Sequence, residues 1–167
     1  MMNQKYTSAR TSINTGKNGK LPAIYGKLRK LGVSLDNALD YGCGKHFDNY
    51  NLGEGVKGYD CFNYVHPENL TSTYNVVISS NVLNVIMEEE VREEVLRSMA
   101  QQCLDGGTVY ITVHVGDSSG VGRPTSEDSW QENRTLKSYL PEVQKVFPDA
   151  YCKYGMIIAP YYDSLPF

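Results

Sequence analysis

The sequence predicts an α/β fold with a mostly parallel sheet flanked by helices. Segments with the composition of buried strands alternate along the chain with segments of helical periodicity, which is the pattern of a parallel sheet. Residues 74–79 read YNVVIS, an apolar and β-branched run typical of a strand buried on both faces. The turn Gly42-Cys43-Gly44 follows an earlier strand-like run, and glycines in that position favour a ligand site at the carboxyl end of a strand.

A single domain accounts for the whole length of 167 residues, at roughly 100–200 residues per domain. No apolar run approaches the ~18 residues of a membrane span, and no apolar signal region follows the N-terminus. The four cysteines lie far apart without CxxC spacing, so we expect neither a zinc site nor a disulfide framework. We therefore expect a reduced protein of the cytoplasm with no membrane partner.

The N-terminal part of the chain predicts an irregular leader followed by a helix. Residues 1–20 are polar, punctuated by glycine and without periodicity. Within residues 21–35, apolar residues recur at the i, i+3, i+4, i+7 spacing of one helix face. Pro22 suits the first turn of this helix, and Gly32 suits its end.

Residues 36–115 are expected to form the core of the sheet. The acidic residues 88–90 open a helix, because negative charge is favourable at the positive end of the helix dipole. The buried stripe of this helix is expected to run from Val91 to Cys103, with Gly106-Gly107 as its end. Strands are expected at residues 37–41, 56–60, 74–79 and 108–115.

The C-terminal part predicts a loop, a helix and a closing hairpin. Residues 116–134 begin with a stretch rich in glycine and serine, which indicates a mobile loop. Residues 135–167 are expected to hold a helix that is kinked or restarted at Pro141. A hairpin with Gly155 at its turn is expected at residues 151–159.

Charge is distributed unevenly along the chain. Residues 1–35 hold seven basic residues and no acidic one, whereas residues 36–167 hold nine basic and 19 acidic residues. One interpretation is a solvated helix with a polar leader. The other is a basic arm that attracts an anionic acceptor, nucleic acid included, because clustered lysine and arginine raise the local concentration of anions.

Candidate site residues cluster where the strands are expected to end. Asp40 closes the first strand, and Gly42 and Gly44 allow the backbone to approach a ligand closely. Asp60 follows the second strand, where its carboxylate can accept hydrogen bonds from both hydroxyls of a ribose. Ser80-Asn81 leaves the strand predicted at residues 74–79. Because parallel strands end at one edge of a sheet, these groups should lie close together.

Two nucleotide-binding signatures are absent. A dinucleotide fingerprint G-x-G-x-x-G needs a third glycine at position 47, where this chain has Phe47, and that ring is too large for the close helix–strand packing which the glycine permits. No GxxxxGK[ST] phosphate loop occurs in the sequence.

The run from Asp40 to Gly44 resembles motif I of the class I S-adenosylmethionine-dependent methyltransferases, with His46 where the last glycine of that motif usually stands. Residues 75–86 and 104–113 resemble the fourth-strand motif and the fifth strand of the same family. The resemblance implies a Rossmann-like sheet, S-adenosylmethionine as cofactor, and residues 36–115 as the cofactor-binding core. It implies cofactor contacts from Asp40, Tyr41, Gly42, Cys43, Gly44, Asp60, Cys61, Ser80 and Asn81.

The chain departs from the family pattern in two places. Only 14 residues separate Asp60 from Asn75, so the usual third strand and its helix are shortened or missing. Leu70 and Thr71 are the nearest candidates for the adenine contact of that region. The [DN]PP[YF] tetrapeptide of amino-methylating nucleic-acid enzymes is replaced by residues 80–83, SNVL, which argues against methylation of adenine N6 or cytosine N4.

A narrower resemblance is to small methyltransferase-like proteins of tailed bacteriophages. It rests on the segments TSINTGK, DYGCGKHFDN, SNVLNVI, GDSSGVGR and WQENRTLKSYL. That group implies the same fold and cofactor without a settled substrate, and it places the protein in the cytoplasm of the host cell.

Asn81 and His114 are the catalytic candidates, each with a structural alternative. Asn81 either lines the methyl-transfer site or caps a turn. His114 either acts as a base, because its pKa ordinarily lies near neutrality, or packs on a strand face. Asp117 and Arg123 in the following loop are possible substrate contacts. The alternative to a methyltransferase is a non-catalytic module that binds S-adenosylmethionine or S-adenosylhomocysteine and regulates a partner; a third is other chemistry with the same cofactor.

Overall fold

Alternating strands and helices are present as the sequence predicts. The computed structural model describes residues 3–11 and 13–163. Residues 1–2 and 12 of the predicted leader and residues 164–167 of the predicted C-terminal segment lie outside the described residues. The helices are α1 (Ala23–Lys30), α2 (Glu89–Gln101) and α3 (Leu140–Gln144). The strands are β1 (Ala38–Tyr41), β2 (Val56–Tyr59), β3 (Tyr74–Ser80), β4 (Cys103–Thr112), β5 (Arg123–Ser126), β6 (Ser129–Gln131), β7 (Tyr151–Lys153) and β8 (Met156–Pro160).

The main sheet has six strands in the order β2-β1-β3-β4-β8-β7. The pairs among β2, β1, β3 and β4 are parallel, and β8 and β7 continue the sheet antiparallel. The fold is therefore α/β with a Rossmann-like, mostly parallel sheet, as predicted. Because its first four strands run in one direction, their carboxyl ends meet at one edge of the sheet.

Two apolar layers cover the faces of the sheet. The apolar stripe of α2, with Val95, Leu96 and Met99, packs in a layer that also contains Tyr139 and Phe147 from the C-terminal region. On the other face, the α1 stripe predicted from helical spacing packs through Ile24, Tyr25 and Leu28, all 3% exposed or less. Every residue of β1 is buried, as a central strand between two covered faces requires.

The region after β2 is shortened as predicted. Residues 60–73 contain no strand, only a single 3₁₀ turn at Pro67–Leu70. As a result β2 lies at the edge of the sheet and pairs only with β1. The predicted break before the last helix is also present, as a 3₁₀ turn at Leu136–Tyr139 that leads into α3. The closing hairpin is β7 and β8, with Gly155 at its turn.

The predicted end of α2 at Gly106-Gly107 is wrong. The helix ends at Gln101, and Cys103, which was assigned to its buried stripe, begins β4. The two glycines instead form a bulge, because Cys103 pairs with Tyr74 whereas the next pair joins Thr108 to Val76. Gly106 has a φ of +79°, and a Cβ on Gly107 would lie 2.9 Å from Leu104 O. A bulge and a helix end favour glycine for the same steric reason.

The prediction of residues 116–134 as a loop is also wrong in part. They contain the hairpin of β5 and β6, a separate two-stranded sheet. The strands are short, and all four residues of β5 are exposed, so no apolar alternation marks them in the sequence. The mobility of this segment stays a prediction. No helix within the described residues is long and apolar enough to cross a membrane.

Candidate functional site

A cavity of about 860 Å³ lies along the edge where the parallel strands end. The cofactor contacts implied by the motifs and both catalytic candidates line it: Asp40, Tyr41, Gly42, Cys43, Gly44, Asp60, Cys61, Ser80, Asn81 and His114. We call the part built by the strand ends the floor. It comprises residues 40–44 at the end of β1, 60–63 after β2, 80–81 at the end of β3 and 112–114 at the end of β4.

Asp40 is the most deeply buried ionisable group of the floor, at 2% exposed. Its Oδ2 accepts a hydrogen bond of 2.5 Å from the hydroxyl of Tyr25 on α1. Its Oδ1 is buried and has no hydrogen-bond partner within residues 3–11 and 13–163. Burial raises the pKa of Asp40, the hydrogen bond from Tyr25 lowers it, and the nearby charge of Asp60 raises it, which together bring this pKa to about 7. A buried acceptor without a partner is costly unless a ligand supplies a donor.

The turn after β1 needs glycine on steric grounds. Gly42 and Gly44 have φ values of +84° and +78°, a region that disfavours other residues. A Cβ on Gly42 would collide with Cγ2 of Val82. The N–H groups of Gly42 and Cys43 both donate to Tyr59 O, at 2.6 and 3.1 Å, which fixes this turn against the end of β2.

Asp60 joins the two turns of the floor. Its Oδ1 accepts hydrogen bonds from the backbone N–H groups of Phe62 at 3.0 Å and Asn63 at 2.9 Å. Its Oδ2 accepts from the N–H of Gly44 at 3.2 Å. A carboxylate has about four lone-pair sites, so Asp60 retains capacity for a ligand hydroxyl in addition to these backbone bonds.

The ends of β3 and β4 present Ser80, Asn81 and His114. Asn81 is exposed with a φ of +58°, and its N–H donates to Thr112 O at 2.9 Å. The Thr112 hydroxyl lies 3.4 Å from that of Ser80. The alternative of His114 packed on a strand face is wrong, because β4 ends at Thr112 and the residue is exposed.

Both cysteines of the floor are thiols at neutral pH. Burial raises the pKa of Cys43 strongly, and the carboxylates of Asp40 and Asp60 raise it further. Burial and Asp60 raise the pKa of Cys61 to about 11. Neither side chain is therefore an activated nucleophile in this cavity.

The opposite side of the cavity is formed by two segments that we call the roof. They are the leader, residues 3–11 and 13–20, and the hairpin of β5 and β6. Leader residues from Gln4 to Lys20 line the cavity, together with hairpin residues Thr125, Trp130 and Gln131. The leader has no helix or strand, as predicted, so its position depends on the contacts that anchor it.

Ser8 anchors the leader to the hairpin. Its N–H donates to Asp128 O at 2.8 Å, and its hydroxyl donates to Val85 O at 2.9 Å. The same hydroxyl accepts from the N–H of Trp130 at 3.1 Å. Nearby, the ring of Tyr6 stacks on Trp130 with centroids 5.4 Å apart. Ser8 is buried and has a φ of +52°, a conformation that serine adopts at a cost.

Further anchors hold the leader to the other side of the floor. Asn63 Nδ2 donates to Ala9 O at 2.8 Å. His46 Nε2 donates to Ile13 O at 2.7 Å, so the residue at the last position of motif I contacts the roof. Because the anchors lie after β1 and β2 as well as at the hairpin, the leader spans the cavity.

Several candidates lie outside the site. Leu70 and Thr71 do not line the cavity. Asp117 and Arg123 also lie outside it, and their side chains form an ion pair with each other. Phe47 fills space beside β2, since a Cβ on Gly58 would lie 2.7 Å from its ring. This packing agrees with the argument against a third glycine at that position.

Sequence reasoning missed Tyr25 and the roof anchors. Tyr25 was assigned to the apolar face of α1, although a buried tyrosine hydroxyl usually has a partner, and this was a usable signal. Ser8 and Trp130 are 122 positions apart, and no local pattern relates them.

No family model matches the sequence, and no curated protein matches it. Solved structures do match. A protein of Nostoc punctiforme assigned as an O-methyltransferase aligns with a TM-score of 0.55 and 12% identity, over 83% of this chain and 56% of its own. The 1,6-didemethyltoxoflavin-N1-methyltransferase of Burkholderia thailandensis, with bound 1,6-didemethyltoxoflavin and S-adenosylhomocysteine, aligns with a TM-score of 0.60 and 14% identity, over 92% and 85%. Identities this low show the fold alone, which this chain shares with both structures.

Proposed function

We propose that the protein is an S-adenosylmethionine-dependent methyltransferase that acts on a small-molecule acceptor. The observation that carries this proposal is the buried, unpartnered Oδ1 of Asp40 in the cavity at the strand ends. The cavity also lies at a topological switch point, because β1 is flanked by β2 on one side and β3 on the other. Open α/β sheets bind their ligands at such points.

The floor fits this cofactor in three respects. Asp40 Oδ1 would accept a hydrogen bond from the ammonium group of the methionine moiety. Gly42 lets the turn after β1 pack directly against Val82, and its backbone can pass under the ligand without a side chain of its own. Asp60 supplies a carboxylate for the ribose hydroxyls, and its backbone bonds hold it in place. Tyr41, Cys43, Gly44, Cys61, Ser80 and Asn81 complete the proposed contacts.

When bound, the cofactor would supply a sulfonium methyl group for in-line transfer, in which the acceptor bonds to the methyl carbon as the carbon–sulfur bond breaks and S-adenosylhomocysteine leaves. The protein then has to orient the acceptor and exclude water. Asn81 presents its amide at the end of β3, where it can orient an acceptor. His114, after β4, can take a proton from an acceptor that must lose one. An acceptor that is already nucleophilic needs no base.

The roof supports a small acceptor over a macromolecular one. The leader spans the cavity and is anchored at both sides, so the space above the strand ends is covered by the chain itself. A volume of about 860 Å³ lies within the ~300–1,000 Å³ typical of small-molecule sites. The basic side chains of the leader are exposed and could attract an anionic acceptor, nucleic acid included. Methylation of such an acceptor would contradict the proposal of a small molecule.

Methyl transfer from labelled S-adenosylmethionine tests the function. Bacterial cytoplasmic extract is the acceptor source, in keeping with a protein of the cytoplasm and, on the narrower resemblance, of a phage host. The extract is divided into a low-mass filtrate and a retained fraction of DNA, RNA and protein. In the reaction with the filtrate we expect a labelled product that chromatography separates from the cofactor, and no such product with the Asp60→Ala variant.

Label in the retained fraction would replace the small acceptor with a macromolecule. Cofactor binding without transfer into either fraction would favour the non-catalytic module that regulates a partner. Consumption of cofactor with retention of its methyl group would indicate different chemistry on the same cofactor. Each outcome is read on the same samples.

A further inference from the structure

We propose that Tyr25 is a positioning residue for Asp40: its hydroxyl occupies Oδ2 and thereby leaves Oδ1 as the acceptor for a ligand ammonium group. The inference rests on the proposed S-adenosylmethionine site and adds a residue that the strand ends do not supply. Tyr25 does not line the cavity, so it acts on a ligand only through Asp40.

The Tyr25 hydroxyl is a hydrogen-bond donor to Asp40. The side chain comes from α1, is 3% exposed, and reaches Asp40 Oδ2 at 2.5 Å. Burial and the neighbouring carboxylate raise the pKa of Tyr25 far above its ordinary value, so the hydroxyl keeps its proton and donates it to the hydrogen bond. The carboxylate is therefore held by one oxygen, while the other is buried without a hydrogen-bond partner among the described residues, in a residue that lines the cavity.

Among the residues that the structure describes, no cationic side chain interacts with Asp40. The titratable groups that face it are Tyr25 on α1, Cys43 in the turn after β1, Tyr50 in the following 3₁₀ turn, and Asp60 after β2. Its neighbours in the sheet, Gly58 on β2 and Ile78 on β3, do not titrate. An ammonium group would thus be the sole positive charge at this carboxylate.

A pH dependence of ligand binding follows from this arrangement. With the pKa of Asp40 raised to about 7 by burial, the carboxyl is mostly protonated at pH 6 and mostly ionised at pH 8. The affinity for an ammonium ligand should therefore rise over that interval. The Tyr25 hydrogen bond lowers the pKa of Asp40, so its removal moves the rise to higher pH.

The test is a calorimetric titration of the full chain between pH 6 and pH 8. The two ligands are S-adenosylhomocysteine and its deaminated analogue, S-adenosyl-4-thiobutanoate, which keeps the carboxylate and lacks the amino group. In the wild type we expect the affinity for the first ligand to rise about tenfold and that for the second to stay level, since one pKa unit corresponds to about a tenfold change.

In Tyr25→Phe we expect the rise for S-adenosylhomocysteine to begin at higher pH, with about tenfold weaker binding at pH 7 and no change for the analogue. Tyr74→Phe is the matched control, because that buried hydroxyl bonds Asn69 O at 2.6 Å, away from Asp40. It should leave both pH profiles unchanged.

Equal weakening of both ligands by Tyr25→Phe would show a structural role and overturn the proposal. An unshifted pH profile in that variant would also overturn it. If the affinity of the wild type for S-adenosylhomocysteine does not change between pH 6 and pH 8, the proposal is contradicted by the wild type alone. If the wild type binds neither ligand, the proposed function fails first and the inference with it.

Discussion

The floor and the roof of the cavity are built by different kinds of interaction. The floor extends from a parallel sheet whose ladder fixes β1 against both β2 and β3. The leader in the roof has no such ladder and is held by side-chain contacts, among them the hydrogen bonds of Ser8, the ion pair of Arg10 with Asp128 and the stacking of Tyr6 on Trp130. Contacts of the second kind can open locally while a sheet stays intact. We infer that the floor selects the cofactor and the roof governs access and the choice of acceptor.

The largest effect on this comparison is expected from Gly42→Ala in the floor. The added Cβ meets Val82, and the φ of +84° is unfavourable for alanine. We expect the free energy of unfolding to fall by ~3 kcal/mol, measured by urea denaturation. Gly32→Ala is the matched control, because Gly32 has a φ of +69° and nothing within 4 Å of a Cβ. An equal decrease in the free energy of unfolding of the two variants would show that the contact with Val82 does not explain the need for glycine at position 42.

Asp40→Asn, also in the floor, is expected to stabilise the protein while it removes binding of S-adenosylhomocysteine. The folded pKa of about 7 lies above the unfolded value of 3.8, so the folded chain binds a proton that the unfolded chain has lost, and stability falls as the pH rises from 4 to 7. Removing the charge should raise the free energy of unfolding at pH 8 by ~2 kcal/mol, with a smaller gain at pH 5.

Thermal unfolding of the ligand-free protein at pH 5 and pH 8 measures this difference. The exposed Asp36→Asn is the control and should show no such pH dependence. Asp40→Asn should also lose binding of S-adenosylhomocysteine. A variant that is less stable than the wild type at pH 8 would contradict the buried, uncompensated carboxylate.

Asp60 variants distinguish its backbone bonds from its ligand contact. Asp60→Asn keeps an oxygen for the N–H groups of Phe62 and Asn63, whereas Asp60→Ala loses both bonds. We expect the affinity for S-adenosylhomocysteine to fall at least about tenfold in both variants, because a charged hydrogen bond contributes ~1.5–3 kcal/mol. Calorimetry measures it, and circular dichroism checks the fold. Unchanged binding in either variant would overturn the ribose assignment.

The smallest effect is expected from Ser8→Ala in the roof. Two side-chain hydrogen bonds are lost, so the leader should open with ~1 kcal/mol less work. Release of S-adenosylhomocysteine should then be roughly fivefold faster, as stopped-flow fluorescence of Trp130 would show. Ser118→Ala is the control, with a similar φ of +57° and an exposed side chain. Identical release rates in the two variants would contradict the anchoring role of Ser8.

The contrast between floor and roof also explains what the sequence could predict. Asp40, Gly42, Gly44 and Asp60 follow strands with local signatures, and parallel strands bring their ends together, so the pattern predicts the placement of these residues. Gly106-Gly107 was misassigned because a helix end and a bulge favour glycine for the same reason. The roof depends on bonds between distant segments that have no periodicity, and it therefore had no sequence signal.

The most direct test of the central claim is a calorimetric titration of the wild-type protein at pH 8 with S-adenosylhomocysteine and, separately, with NAD. The floor predicts one S-adenosylhomocysteine bound per chain and no binding of NAD. Binding of NAD alone, or of neither ligand, would contradict the assignment of Asp40, Gly42 and Asp60 to an S-adenosylmethionine site.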